Sequence, residues 1–421
     1  MGRERSPLRR RLLFAGLGAG LGAGVVAGAA GLVLALNRHH LVNPCLADLP
    51  AELATDPLIE AAWAGLDPAK VWDCHAHVAG TGDSGRGIEI SPRMLSPLYP
   101  FEYLQRMFYL NAGCTHAARG VDDSYVERLR NLMGGLAPGA KLMLLAFDHV
   151  HAEDGTPRPD LSAFFVPNDY AREIAQASPQ WFEWVCSIHP WRADAVDALE
   201  AAVAGGARAV KWLPPAMGID PAAPACDRFY RAMQRLDVPL LTHGGAEEAV
   251  RGAGRPEWGN PLRLRRALDQ GVRVVMAHCA THGEDVDSDH PGRKRVPSFA
   301  LFARMMDEPA HAGLLFGDIS ATVLRNRDLA TLRTLLERPE WHARLLYGSD
   351  YPLPGILPLI SIGGLAQAGM LAPEAVPVLE AVRRHNPLLF SFVLKRHLHS
   401  NGRRFGASVF ETRPFFDRSA A

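Results

Sequence analysis

Val71-Trp72-Asp73-Cys74-His75-Ala76-His77 is a short apolar run that ends in two histidines. Three later runs end in the same manner: Val238-Pro-Leu-Leu-Thr-His243, Val274-Val-Met-Ala-His278 and Leu345-Leu-Tyr-Gly-Ser-Asp350. Parallel strands carry their carboxyl ends to one face, so residues far apart in sequence converge there. Imidazole and carboxylate at four such ends imply a metal site of hydrolytic type.

Outward from these runs the pattern alternates. Strand-like segments are expected at Val71–Cys74, Lys141–Phe147, Trp184–Ile188, Arg208–Leu213, Val238–His243, Val272–His278, Leu314–Ile319 and Arg344–Tyr347. Alanine- and leucine-rich segments of helical period separate most of them, such as Asp194–Ala204, Asp227–Leu236 and Pro261–Gln270. Eight strands alternating with helices predict an α/β (β/α)8 TIM barrel. An open doubly wound sheet is the alternative, and the closed barrel is the expected form. The expected organisation is a basic region 1–11, a hydrophobic transmembrane or signal helix 12–36, a linker 37–69, the barrel 70–395 and a tail 396–421. Within it, Pro57–Gly65 reads as a helix, Ala79–Gly87 as an irregular glycine-rich loop, Thr281–Pro309 as an insertion over the active face, and Pro373–Leu398 as a helix.

The chain has 421 residues, with Lys plus Arg 45 and Asp plus Glu 45. That balance gives no reason to expect a nucleic-acid partner. Arg3, Arg5, Arg9, Arg10 and Arg11 precede an uncharged run from Leu12 to Leu36. As a helix this run would extend about 37 Å, enough to cross a bilayer core. The arginine bias places the barrel outside the cytoplasm on a single-pass anchor. Cleavage of a signal and export to the periplasm is the alternative. Gly16, Gly20, Gly24 and Gly28 recur every four residues, a spacing that permits a homodimer but is also ordinary for membrane helices. Of six cysteines, Cys74, Cys186 and Cys279 lie in or beside strands and read as buried thiols, although an external location permits disulfides. No C-x-x-C spacing occurs, which speaks against a cysteine zinc site.

His75 and His77 are two apart on a strand and share a face, as neutral imidazoles binding zinc or a similar ion would. His149-Val-His151 has the same spacing after another strand and reads as loop polarity or a substrate contact. The company of the first pair distinguishes it. Asp73-Cys-His75-Ala-His77, Ala209-Val-Lys211-Trp-Leu-Pro214-Pro215, Leu241-Thr-His243-Gly, Met276-Ala-His278-Cys and Tyr347-Gly-Ser-Asp350-Tyr-Pro352 resemble the amidohydrolase superfamily. Within it, the chain is similar to the amidohydrolase-related (amidohydrolase 2) family of metal-dependent TIM-barrel hydrolases and decarboxylases. Val166-Pro-Asn168-Asp169-Tyr170, which opens a helix before the third strand in such proteins, is similar too.

The resemblance implies that His75, His77, His243 and Asp350 bind one divalent metal ion, zinc first, with manganese or another divalent ion as alternatives. It implies that His278 stands beside the attacking water and that Asp350 also moves its proton. Lys211 has two readings, a carboxylated lysine bridging two metals or a lysine near substrate or buried against a carboxylate; a mononuclear site is expected. Glu247 follows His243-Gly-Gly on a loop that can approach the site, and Asp318 ends the seventh strand; a helix start and a solvated strand end are at least as good readings of the two. The expected reaction is hydrolysis of an amide, ester or lactone-like carbonyl. The alternative is non-oxidative decarboxylation of an aromatic or unsaturated acid, which needs a cationic grip on the carboxylate; Arg86, Arg93 and Arg119 lie in early loops. A barrel that has lost catalysis is a third reading. The partner is then a small carbonyl or carboxylate compound, whose identity lies in loops without an interpretable code.

Overall fold

Eight parallel strands of a computed structural model occupy the predicted places: β1 Trp72–His77, β2 Lys141–Leu145, β3 Phe182–Val185, β4 Val210–Trp212, β5 Leu240–His243, β6 Val274–Ala277, β7 Leu315–Asp318 and β8 Leu345–Leu346. The structure describes residues 41–246 and 249–418. The expected regions 1–11 and 12–36, and Glu247, lie outside the described residues. Among the described residues no helix is long and apolar enough to cross a membrane.

Consecutive strands pair in parallel from β1 to β3 and from β4 to β8. Parallel bridges Cys186–Val210 and Ala76–Tyr351 join the two arcs, so the sheet closes into a barrel. The interior is filled by Trp72, Cys74, Met143, Leu145, Val185, Ala209, Leu241, Val275 and Leu346. Helices cover the outside with their apolar sides; Asp227–Arg235, for example, buries Phe229, Tyr230, Ala232 and Met233 at helical spacing.

Several strands stop short of their predicted carboxyl ends. After β6, His278, Cys279 and Ala280 have φ of 56°, 50° and 49°. Asp350 has φ of 61°. Left-handed backbone costs a non-glycine residue roughly 1–2 kcal/mol, and such strain gathers at functional sites.

The predicted insertion Thr281–Pro309 is only half an insertion. Glu284–Val286 and Arg295–Pro297 form an antiparallel ribbon. Ser298–Asp307 is instead the barrel's own helix after β6, burying Leu301, Phe302, Met305 and Met306. Asp287 and Asp289 pair with Arg304. The predicted helix Pro373–Leu398 is two helices, Ala375–His385 and Pro387–His397. Asn386 caps the second by accepting from the amides of Leu388 and Leu389, and Pro387 supplies no amide for the first to continue.

Pro57–Trp63 is helical as expected, with Trp63 stacked on Phe392. The carboxyl-terminal stretch is firmly packed. Phe416 is fully buried in the interior cluster, at the end of the barrel opposite the histidines, and the Thr412 hydroxyl donates to the Trp72 carbonyl. Cys45 and Cys114 form a disulfide, while Cys74, Cys186, Cys226 and Cys279 are free and buried.

Candidate metal centre

Five of the predicted site residues meet at the carboxyl ends of the strands. His77 Nε2 lies 3.2 Å from Asp350 Oδ1, and His75 Nε2 lies 3.5 Å from the same oxygen. His278 Nε2 lies 3.7 Å from Asp350 Oδ2. The His75 and His278 rings stack with centroids 5.1 Å apart, and His243 stands edge-on to His278 at 5.5 Å. Donor atoms of His75, His77 and Asp350 lie within 4.8 Å of one another, close enough to share one cation. His243 belongs to the same pocket without joining that trio.

Arriving at this constellation requires an irregularity in β1. Its pairing with β2 slips between Asp73 and Ala76. Strict alternation would send His75 to the face opposite Cys74. Cys74 packs inside the barrel, and His75 nonetheless reaches Asp318 and Lys211 across it. Bulges of this kind re-aim side chains beside active sites. Gly348 makes room: a Cβ there would stand 2.8 Å from the His75 Cβ.

Hydrogen bonds fix the tautomers. His75 Nδ1–H donates to Asp318 Oδ2 at 2.9 Å, since a carboxylate only accepts. The Ser320 hydroxyl gives its one proton to Asp318 Oδ1, so it accepts from His278 Nδ1–H at 2.8 Å. Both rings therefore carry their lone pair on Nε2, the nitrogen that faces Asp350. His243 Nε2–H donates to the Ala246 carbonyl at 3.0 Å, leaving its lone pair on Nδ1.

Burial pushes the pKa of His243 down to about 3, with the Lys211 charge adding to the effect. Burial likewise holds His278 well below the usual imidazole range and lowers His77. All three are neutral at pH 7, as ligands or proton acceptors must be. Burial pushes Asp318 upward, and the His75 Nδ1–H beside it outweighs that and holds the carboxyl below the ordinary range.

Asp318 is the residue sequence reasoning undervalued. It is fully buried, not a solvated strand end. Besides His75 it accepts from the amides of His278 at 3.1 Å and Ser320 at 2.9 Å. It thus orients two of the site's imidazoles, and the signal available was its place at the end of β7, level with the other strand-end residues. Asp73 acts beneath: its Oδ1 accepts from the amides of His75 and Ser349, tying β1 to the loop after β8.

Lys211 is buried, and its Nζ lies 3.0 Å from His75 Nε2. His149 and His151 lie away from the centre, His149 stacked on Phe165 and His151 tilted against His189. Arg86, Arg93 and Arg119 are paired with Asp123, Glu102 and Glu127, and none lines the pocket. Arg106 does. The pocket above the site has a volume of about 930 Å³ including its open mouth, and its walls are mostly apolar, among them Ile88, Met94, Phe164, Leu213 and Val250.

A closed eight-stranded barrel with imidazoles and a carboxylate gathered at its carboxyl end defines a class, the metal-binding TIM-barrel proteins. The chain belongs to the amidohydrolase family, whose model matches residues 72–356. Structurally similar proteins include an uncharacterized TIM-barrel protein from Bordetella bronchiseptica, 17% identical, with a TM-score of 0.43 over 74% of this chain and 99% of that one. A probable 2-pyrone-4,6-dicarboxylic acid hydrolase from Acinetobacter baumannii is 14% identical, with a TM-score of 0.38 over 76% of this chain and 97% of that one. A 2,6-dihydroxybenzoate decarboxylase from Rhizobium is 14% identical, with a TM-score of 0.32 over 62% of this chain and 87% of that one. Identities this low carry no reaction from one protein to another. No curated protein matches the chain.

Proposed function

We propose that the chain is a metal-dependent hydrolase acting on a small amide, ester or lactone-like carbonyl compound. The observation that carries this reading is the convergence of His75, His77 and Asp350 donor atoms within 4.8 Å at the floor of a pocket. Two imidazoles and a carboxylate, one imidazole held by a second carboxylate, are a donor set that fits a divalent cation such as zinc. His243 is the fourth proposed ligand. When bound, the cation supplies Lewis acidity, polarising a substrate oxygen and acidifying a water.

The chain's own groups divide the remaining work. Asp350, ionised and set among His75, His77 and His278, accepts a proton and returns it to the leaving group. His278 presents a lone pair on Nε2, so it orients the attacking water by accepting from it. Lys211, with an ammonium beside His75, is the donor placed for a developing oxyanion. The apolar walls exclude bulk water and hold a hydrophobic substrate body.

One observation favours a second reading, decarboxylation. Arg106 lines the pocket, and its Nε is buried without a hydrogen-bond partner among the described residues. A guanidinium so placed is a grip for a substrate carboxylate. A panel of amides, esters, lactones and aromatic or unsaturated acids, offered to zinc- or manganese-loaded protein, separates the two readings. Carbonyl hydrolysis lost in His243→Ala, with folding retained, supports the first. Carbon dioxide release without hydrolysis replaces it by the second, and full activity in His243→Ala overturns the site assignment.

A further inference from the structure

Every large apolar side chain exposed among the described residues falls in one of two short segments. Val42 and Leu46 lie in the first, and six residues from Leu95 to Met107 lie in the second. Leu98 is 86% exposed and Phe101 69%. Phe101, Leu104 and Met107 recur every third residue of the helix Pro100–Ala112, so they form one outward stripe. Isolated exposed leucines are ordinary on a protein surface; a contiguous set restricted to one place marks a binding face.

The segment beginning at Asn43 is fastened to the far end of this helix. Cys45 is bonded to Cys114, the Asn43 amide donates to Asn111 Oδ1 at 2.9 Å, and Asn111 Nδ2 donates to the Asn43 carbonyl at 3.3 Å. Leu36, the last residue of the uncharged run 12–36, stands seven positions before Asn43. Seven residues reach at most roughly 25 Å. A run long enough to enter a bilayer is therefore tethered covalently at the end of the helix that carries the exposed stripe.

We propose that the face formed by Leu95–Leu98 and the stripe Phe101, Leu104 and Met107 docks on the surface of a lipid bilayer. Its composition suits that occupant. Arg93 lies over the Tyr99 ring at 4.2 Å, supplying a cation and an amphipathic ring beside the apolar stripe. The other side of the same helix lines the pocket through Arg106, Tyr109 and Leu110. Docking therefore brings one wall of the pocket to the membrane interface, where amphipathic carbonyl or carboxylate compounds concentrate.

The test uses the full chain in vesicles of phosphatidylcholine with phosphatidylglycerol. Phe101→Cys, Leu104→Cys and Met107→Cys are labelled singly with an environment-sensitive fluorophore; the native cysteines are disulfide-bonded or buried. Arg235→Cys, at an exposed position of the helix Asp227–Arg235, is the control. Docking predicts that brominated lipid quenches the three stripe labels and that aqueous iodide does not, with the opposite result for the control. Stripe labels quenched by iodide, in protein that still sediments with the vesicles, show anchoring without docking and overturn the proposal. Labels shielded from both quenchers show that the chain's own 12–36 run or a second copy covers the face, which overturns it equally.

Discussion

Asp318→Asn leaves the size of the side chain almost unchanged and reverses one hydrogen bond. The carboxylate accepts from His75 Nδ1–H, from the amides of His278 and Ser320, and from the Ser320 hydroxyl. An asparagine can keep its oxygen toward the two amides and the hydroxyl, and its amino group then faces His75 Nδ1. That nitrogen must accept, so the ring's proton moves to Nε2, the atom facing Asp350 and His77. The trio His75, His77 and Asp350 loses a lone pair, and the Lys211 Nζ loses that nitrogen as an acceptor. Disrupting the outer partner of a ligating histidine costs about 10–100-fold in metal affinity, or about 1.4–2.7 kcal/mol. Competition against a chromophoric chelator measures the affinity, and thermal unfolding of the metal-free protein controls for folding. An unchanged affinity at unchanged stability would refute the role given to Asp318 and the assignment of His75 as a ligand through Nε2.

Lys211→Met removes an ammonium that donates to the same His75 nitrogen, so the same competition assay should show tighter metal binding; weaker binding would instead identify Lys211 as a carboxylated ligand. The Cys45–Cys114 disulfide closes a loop across 69 positions, and the chain-entropy relation gives about 4 kcal/mol for it. Cys45→Ser with Cys114→Ser should lower the urea midpoint accordingly, and the parent should show the same loss only under reductant. His189 is fully buried, donates from Nε2 to the Met217 carbonyl, accepts from the Trp191 amide, and is pushed down to about 3 by burial and by His151 beside it. Because the unfolded chain binds that proton first, stability present above about pH 6.5 is lost as the pH falls toward 3. Between pH 7 and pH 5 this amounts to about 2 kcal/mol, a loss that urea unfolding should find smaller in His189→Gln.

Local patterning decided the barrel. Apolar runs separated by helical-period segments survive as sequence signals because each strand is buried on both faces and each helix on one, and all eight strands stand where the runs predicted them. The histidines and Asp350 were legible for a related reason: their place at strand ends fixes where the backbone delivers them. The helix break at Asn386-Pro387 was legible in principle from the missing amide, yet a continuous apolar pattern concealed it.

Other features depend on partners distant in the chain. Nothing near Asp318 shows that it lies against a histidine 243 positions away, because that contact exists only when the barrel closes. Likewise the slip in β1 that keeps both Cys74 and His75 inside arises from pairing with β2, which no local pattern records. Which arginine of several enters the pocket was settled by loop packing. By itself the sequence determined the strands, their order and the kinds of group at their ends. Tertiary structure decided which atoms face one another, since hydrogen-bond direction and side-chain burial are properties of contacts and not of composition.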